Sequence, residues 1–215
     1  MNLNKKCNIC ETPFDLFLQF STNGPKIRCP NCLSFERHRR LEWAYKLFIE
    51  QEFSFDNKEI LSCVPSRYET EYLFKNAKKT TTFDIRPVDW FDMQLDITDM
   101  SSIEPQSYDA FVAIAVLQHV KNDHLVASQV HRILRPGGRC FFQASNFSNE
   151  PTKIASDIHQ HYTTEEYERY GVGTYRIYNS CDLIRLFQDL FLVKTFYGID
   201  PITGASDFIL CGIKE

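Results

Sequence analysis

This chain predicts an α/β fold on a mostly parallel sheet, preceded by a small cysteine-held head. Three observations carry the prediction. From Lys58 onward, short β-rich runs alternate with helical stretches. One of those runs, YDAFVAIAVL at 108–117, is apolar nearly throughout, as a central strand covered on both faces must be. Of eight cysteines, four sit in two C-x2-C pairs near the amino terminus.

The first pair is Cys7 and Cys10, the second Cys29 and Cys32, with eighteen residues between them. Two thiolates separated by two residues can face one metal from a tight turn, and two such turns complete a tetrahedral zinc site. With sulfur in all four positions no place is left for water, so the zinc is expected to be structural. A pair of disulfides or a redox pair is the alternative. The start MNLNKKCNIC shows no apolar leader, which points to the cytoplasm, where thiols stay reduced. Residues 1–33 hold too little apolar material to fold alone, so this zinc-ribbon-like head needs the metal's binding energy.

Residues 34–57 read as a linking helix. Ser34 is the expected N-cap, and Leu41, Ala44, Tyr45 and Phe48 recur at helical spacing on one apolar face. Arg37, His38, Arg39 and Arg40 are consecutive, so they cannot all face one way. One or two are expected to turn inward and the others to face water.

Residues 58–215 form the main domain. EILSCV (59–64) is the first strand, and SRYETEYLFKNA (66–77) is a helix opened by a Ser66–Glu69 capping box. TTTFDI (80–85), DMQLDI (92–97) and YDAFVAIAVL follow as strands. A helix over about 120–134 is stopped by Pro136, Gly137 and Gly138, and RCFFQAS (139–145) is the next strand. Residues 146–179 break the rhythm. They carry Phe147, Tyr162, Tyr167, Tyr170, Tyr175 and Tyr178 with His159 and His161, after a strand's carboxyl end, where open α/β sheets bind ligands. A helix over about 180–190 then leads to FLVKTFY and DFILCGI, expected as a closing antiparallel hairpin.

Composition narrows the function. The chain has 215 residues, 43% hydrophobic and 24% charged, which excludes a disordered chain. No apolar run nears the ~20 residues of a membrane helix. The net charge of −4 argues against a general nucleic-acid coat protein. The first fifty residues hold eight basic and five acidic side chains, so a basic head precedes an acidic body.

The succession TTFDI, LDITDM, YDAFVAIAVLQHV and VHRILRPGGRCFFQ resembles the class I S-adenosylmethionine (SAM)-dependent methyltransferases. The head segment RCPNCLSFERHR is similar to the C-P-x-C-x-S-x-x-R-H-R of a subgroup with an amino-terminal four-cysteine zinc-binding segment, and YRIYN matches its R-x-Y segment. The resemblance implies a Rossmann-like, mostly parallel seven-stranded sheet with a carboxy-terminal antiparallel hairpin, and transfer of SAM's methyl group. Asp84, closing the second strand, can accept the ribose hydroxyls or cap a turn, and Asp96 can reach the adenine or form a turn with Thr98 and Asp99; the resemblance implies that both, with Ile85 and Ile97, bind the cofactor. Ala115, Val116 and Gln118 would lie beneath the methyl, and Pro65 and Ser66 at the methionine end. The glycine-rich loop of such proteins is VPSRYE (64–69) here, without a glycine, and the subgroup's histidine before R-x-Y is Thr174. Candidate catalytic groups are His119, His161 and Tyr178. Candidate substrate contacts are His38, Tyr162, Arg176 and Tyr178. The favoured acceptor is a small molecule methylated at oxygen or nitrogen, natural products among the candidates. An RNA methyltransferase with a zinc-binding recognition head, and a SAM-fold binding protein without catalysis, are the competing readings.

Overall fold

The computed structural model of the chain describes residues 5–19, 26–144, 150–159 and 162–215. In the head, β1 (Lys5–Lys6) pairs with β2 (Pro13–Phe14), and β3 (Leu18–Gln19) with β4 (Lys26–Arg28), all antiparallel. Each cysteine pair closes a tight turn. Glu11 N–H donates to the Cys7 carbonyl at 2.9 Å and Leu33 N–H to the Cys29 carbonyl at 3.1 Å, with Glu11 and Leu33 at φ 57° and 60°.

Helix α1 (Glu36–Ala44) continues into a π-helical turn, Tyr45–Ile49. Its N-cap is Phe35, not the expected Ser34. His38 Nδ1 accepts the Phe35 N–H at 3.2 Å, while the Ser34 hydroxyl lies 3.2 Å from Cys32 Sγ. The wide π turn rotates the apolar face. Leu41, Ala44 and Tyr45 are buried as expected, but Ile49 takes the inner place and Phe48 is 46% exposed.

Next come β5 (Glu59–Cys63), a π-helical turn at Glu69–Leu73, β6 (Lys79–Asp84), β7 (Met93–Gln94) and β8 (Tyr108–Ile114). Helix α2 (Val126–Ile133) leads to β9 (Leu134–Gln143). The described part of the 146–179 segment, a flap, contains β10 (Lys153–Ile154), α3 (Thr164–Tyr170) and β11 (Arg176–Ile177), with β10 and β11 antiparallel. Helix α4 (Ser180–Arg185), β12 (Leu192–Ile199) and β13 (Ser206–Ile213) complete the chain.

The main sheet has seven strands in the order β12-β13-β9-β8-β5-β6-β7. The last five in that order are parallel, and β13 is antiparallel to both its neighbours. The order reverses between β5 and β8, so a crevice opens at their carboxyl ends. This is the predicted Rossmann-like arrangement, hairpin included.

Strand ends differ from the apolar runs. β8 stops at Ile114 because Ala115 turns to φ 60° and gives its N–H to the Gln143 carbonyl. β7 stops at Gln94, and Asp96 folds into a turn by accepting from Thr98 N–H and Oγ1, both at 2.8 Å. Helix α2 ends at Ile133, so Pro136, Gly137 and Gly138 open β9 rather than end the helix. The capping box at Ser66 is half-formed. Glu69 Oε2 accepts the Ser66 N–H at 2.7 Å, but the Ser66 hydroxyl has no partner.

Alternation along the strands divides the core. Leu61, Phe111, Ala113, Phe142 and Leu210 pack with α2 and α4 on one face. Ile60, Ala110, Val112, Phe141 and Ile209 pack on the other against Leu41, Ala44, Tyr68 and the head's Cys7, Cys29 and Cys32. The head is therefore built into the layer that covers the sheet. Gly198 on β12 permits this, since a Cβ there would meet the Arg40 carbonyl oxygen at 2.4 Å.

Four consecutive side chains of α1 go four ways. Arg37 lines the crevice, and His38 stacks on Tyr68 with ring centroids 5.5 Å apart. Arg39 is bidentate to Asp200 at 3.0 and 2.8 Å, with both side chains fully buried. Arg40 pairs with Asp207 at 3.1 Å. The expectation that the remaining members of this run face water is corrected: the three beyond Arg37 bind the body.

Candidate functional site

A cavity of about 320 Å³ occupies the crevice, within the size range of small-molecule sites. Its walls come from the tips of successive strands. Cys63 ends β5 and Val64 follows it, Asp84 ends β6 with Ile85 and Arg86 after it, and Asp96 and Ile97 follow β7. Ala115 and Val116 follow β8, and His119 belongs to the 3₁₀ turn Leu117–His119. Tyr162, Tyr170, Gly171 and Val172 of the flap form the roof, and Arg37 enters from α1. Val64 and Ala115 hold positive φ, 49° and 60°, so side chains that disfavour this backbone form the cavity's edge.

Asp84 is buried, and its carboxylate is filled by Arg86. The Arg86 guanidinium reaches Asp84 Oδ2 at 2.7 Å and the Arg86 N–H reaches Oδ1 at 2.9 Å. Arg86 also reaches Glu166 on α3 at 3.1 Å and lies over the Tyr162 ring. It thereby ties the floor of the crevice to its roof. Helix α3 is placed by a complete capping box between Thr163 and Glu166, and Gly171 ends it at φ 66°.

His119 Nδ1–H donates to the Gly173 carbonyl at 3.0 Å, which leaves Nε2 as acceptor toward the Gln118 amide at 3.2 Å. Tyr162 meets the His119 ring edge-on at 5.0 Å. Burial pushes the Tyr162 phenol up to about 12.

Several expected residues lie elsewhere. Pro65 and Ser66 line a separate surface cavity with Thr82 and Trp90 and not the crevice. Gln118 is buried beside His119 and does not line the cavity. His38 is buried against Tyr68, and burial holds it well below its ordinary value, so it is neutral and structural. Arg176 braces the Val120 and Lys121 carbonyls, both at 2.8 Å, and pairs with Asp123. Tyr178 is in the core with its hydroxyl on Asp123, and burial, then that carboxylate, push its phenol far up. Neither Arg176 nor Tyr178 lines the cavity. His161 and Phe147 lie outside the described residues. Sequence reasoning missed Arg86 and Glu166. The signal was an arginine two residues beyond Asp84 and an acid in the T-T-E-E start of α3.

The four head cysteines are free thiols, and their sulfurs all lie within 4.8 Å of one another. Cys7 and Cys32 sulfurs are 3.8 Å apart, Cys10 and Cys29 sulfurs 3.7 Å. A tetrahedral zinc with bonds of about 2.3 Å requires sulfurs about 3.8 Å apart, so the donor set fits that metal.

Residues 60–142, less than half of the chain, match a family model described as a methyltransferase domain. No curated protein sequence matches significantly. Among solved structures, the chain resembles the Burkholderia thailandensis 1,6-didemethyltoxoflavin-N1-methyltransferase, solved with 1,6-didemethyltoxoflavin and S-adenosylhomocysteine bound. The TM-score is 0.61 at 15% identity, over 83% of this chain and 79% of that one. A SAM-dependent methyltransferase of Methanosarcina mazei matches with TM-score 0.50 and 15% identity, over 78% and 97%. One of Mesorhizobium loti matches with TM-score 0.50 and 14% identity, over 80% and 97%. Strand order, crevice and matched segment agree: the chain has the Rossmann-like fold of the class I SAM-dependent methyltransferases, with a methyltransferase-domain match across its central strands.

Proposed function

We propose that this protein transfers the methyl group of SAM to an oxygen or nitrogen of a small-molecule acceptor. The observation that carries the reading is the cavity across the tips of β5 to β8, with Asp84 at one strand end and Ala115 at another under a tyrosine roof. Asp84 and Ile85 would hold the ribose, Asp96 and Ile97 the adenine, and Ala115 and Val116 the floor beneath the reacting group. Bound there, SAM supplies an already activated methyl on a sulfonium. The residues then have to orient the acceptor in line and exclude water. Tyr162 and Tyr170 line the cavity where a planar acceptor would stack, and His119, also on its wall, would take a proton released from the acceptor. The 1,6-didemethyltoxoflavin bound in the Burkholderia thailandensis neighbour, an N1-methyltransferase, supports this class. The head would carry one structural zinc on Cys7, Cys10, Cys29 and Cys32.

Ribose hydroxyls can take Asp84 only after Arg86 gives up oxygens it now holds. Asp84→Ala is expected to weaken SAM binding by ~1.5–3 kcal/mol, the range for hydrogen bonds to a charged group. Calorimetric titration of both proteins measures it. Equal affinity for wild type and variant would place the ribose elsewhere.

A further inference from the structure

The loop that the resemblance assigns to the methionine end of SAM carries no glycine here, and Pro65 and Ser66 line a separate cavity. The site therefore lacks an obvious group for a carboxylate. One cation does enter it. Arg37 lines the cavity beside Cys63, Val64 and Ile114, and its guanidinium stacks over Phe35 at 4.3 Å. Every other arginine of its helix has an acid: Arg39 has Asp200, and Arg40 has Glu36 and Asp207. Arg37 has no ion pair or hydrogen bond among the described residues.

The acid acting on it most is Glu69, which is buried at the start of the turn after β5. Burial pushes the Glu69 carboxyl up to about 7, so it only partly balances the guanidinium at neutral pH. A largely desolvated arginine without a partner is costly unless a ligand completes it. Its planar fork of donors matches a carboxylate.

We propose that Arg37, delivered by the helix that follows the four-cysteine head, binds the amino-acid carboxylate of the SAM-type ligand in this cavity. It takes over the part that loop backbone plays in glycine-rich members of the fold. The proposal rests on the nucleoside reading of the crevice. It gives the head a second role, since the cysteine cluster packs against the helix that aims Arg37.

The test compares two probes on the full chain by calorimetry. S-adenosylhomocysteine carries the carboxylate, and 5′-methylthioadenosine has the same nucleoside thioether without the amino acid. Arg37→Met is expected to weaken S-adenosylhomocysteine about 10- to 100-fold, the effect of losing a charge-assisted contact, and to leave 5′-methylthioadenosine within about 2-fold. Arg37→Lys, which keeps the charge and loses the fork, should fall between, and unchanged melting temperatures show that the variants fold. An unchanged S-adenosylhomocysteine affinity in Arg37→Met overturns the proposal. So does an equal loss for both probes, which would make Arg37 a wall of the cavity. If wild type binds neither probe, the nucleoside reading itself fails.

Discussion

Removing the zinc proposed for the four-cysteine head is expected to destabilise the whole protein, not the head alone. Cys7, Cys29 and Cys32 are buried in the same cluster as Leu41, Ala44, Val112 and Phe141, so the head's turns form part of the layer on one sheet face. Without a cation, up to four thiolates within 4.8 Å of one another would repel or take up protons, and the turns at Glu11 and Leu33 would lose their anchor. Structural zinc contributes about 10–16 kcal/mol of apparent binding energy in isolated finger peptides. That is comparable to the whole stability of a domain, about 5–15 kcal/mol. Metal analysis should find one zinc per chain. Chelation or Cys29→Ala should lower the melting temperature sharply. A metal-free preparation melting at the same temperature would show that the cysteines act only as small buried side chains.

The buried pair of Arg39 and Asp200 should carry the second large effect. Arg39 also donates to the Ile27 and Ser34 carbonyls, at 3.2 and 3.0 Å, so one guanidinium joins head, helix and the turn before β13. Asp200→Asn or Arg39→Met leaves a charged or polar group buried without its partner. The expected cost is about 3–5 kcal/mol, or about 6–20 °C in melting temperature for a chain of this size. The double variant Arg39→Met/Asp200→Leu should regain much of the loss, because no uncompensated charge remains. Burial acts to raise the Asp200 carboxyl, but its bonds to Arg39 and Thr203 more than offset this and hold it below its ordinary value. A depressed carboxyl stabilises the fold above its unfolded value of about 4 and loses that contribution as pH falls through the folded value. Acid unfolding of Asp200→Asn should therefore be less steep than that of wild type. Single variants with unchanged melting temperatures would mean the pair adds specificity and little stability.

The parts legible in the sequence were those written in local pattern. Two C-x2-C pairs announce their cluster by spacing alone. Buried parallel strands must be apolar on both faces, so YDAFVAI stands out whatever surrounds it. The ends of elements were less legible because side chains and backbone angles set them. Ala115 ends β8 by a positive φ, and Asp96 ends β7 by bonding forward to Thr98. Neither event shows in hydropathy. A π turn moved Ile49 inward and Phe48 outward, a shift that 3.6-residue spacing cannot anticipate. The crevice residues divided in the same way. Asp84, Ile85, Asp96, Ile97, Ala115 and Val116 all line the crevice, the two acids expected from their places at strand ends and the other four from the family resemblance. Arg86, its flap partner Glu166, and the direction of Arg37 depend on contacts between distant segments. Tyr178 and Arg176 misled because the flap's root is core: a buried tyrosine and an arginine bracing carbonyls share the residue types of a site.

A crystal structure with S-adenosylhomocysteine bound tests the account most directly. The account predicts the nucleoside across the tips of β5 to β8, its ribose hydroxyls on Asp84, Arg86 swung off that carboxylate, and the sulfur facing Ala115 beneath Tyr162. Ligand found outside this cavity, or inside it with Arg86 still filling both Asp84 oxygens, would contradict it.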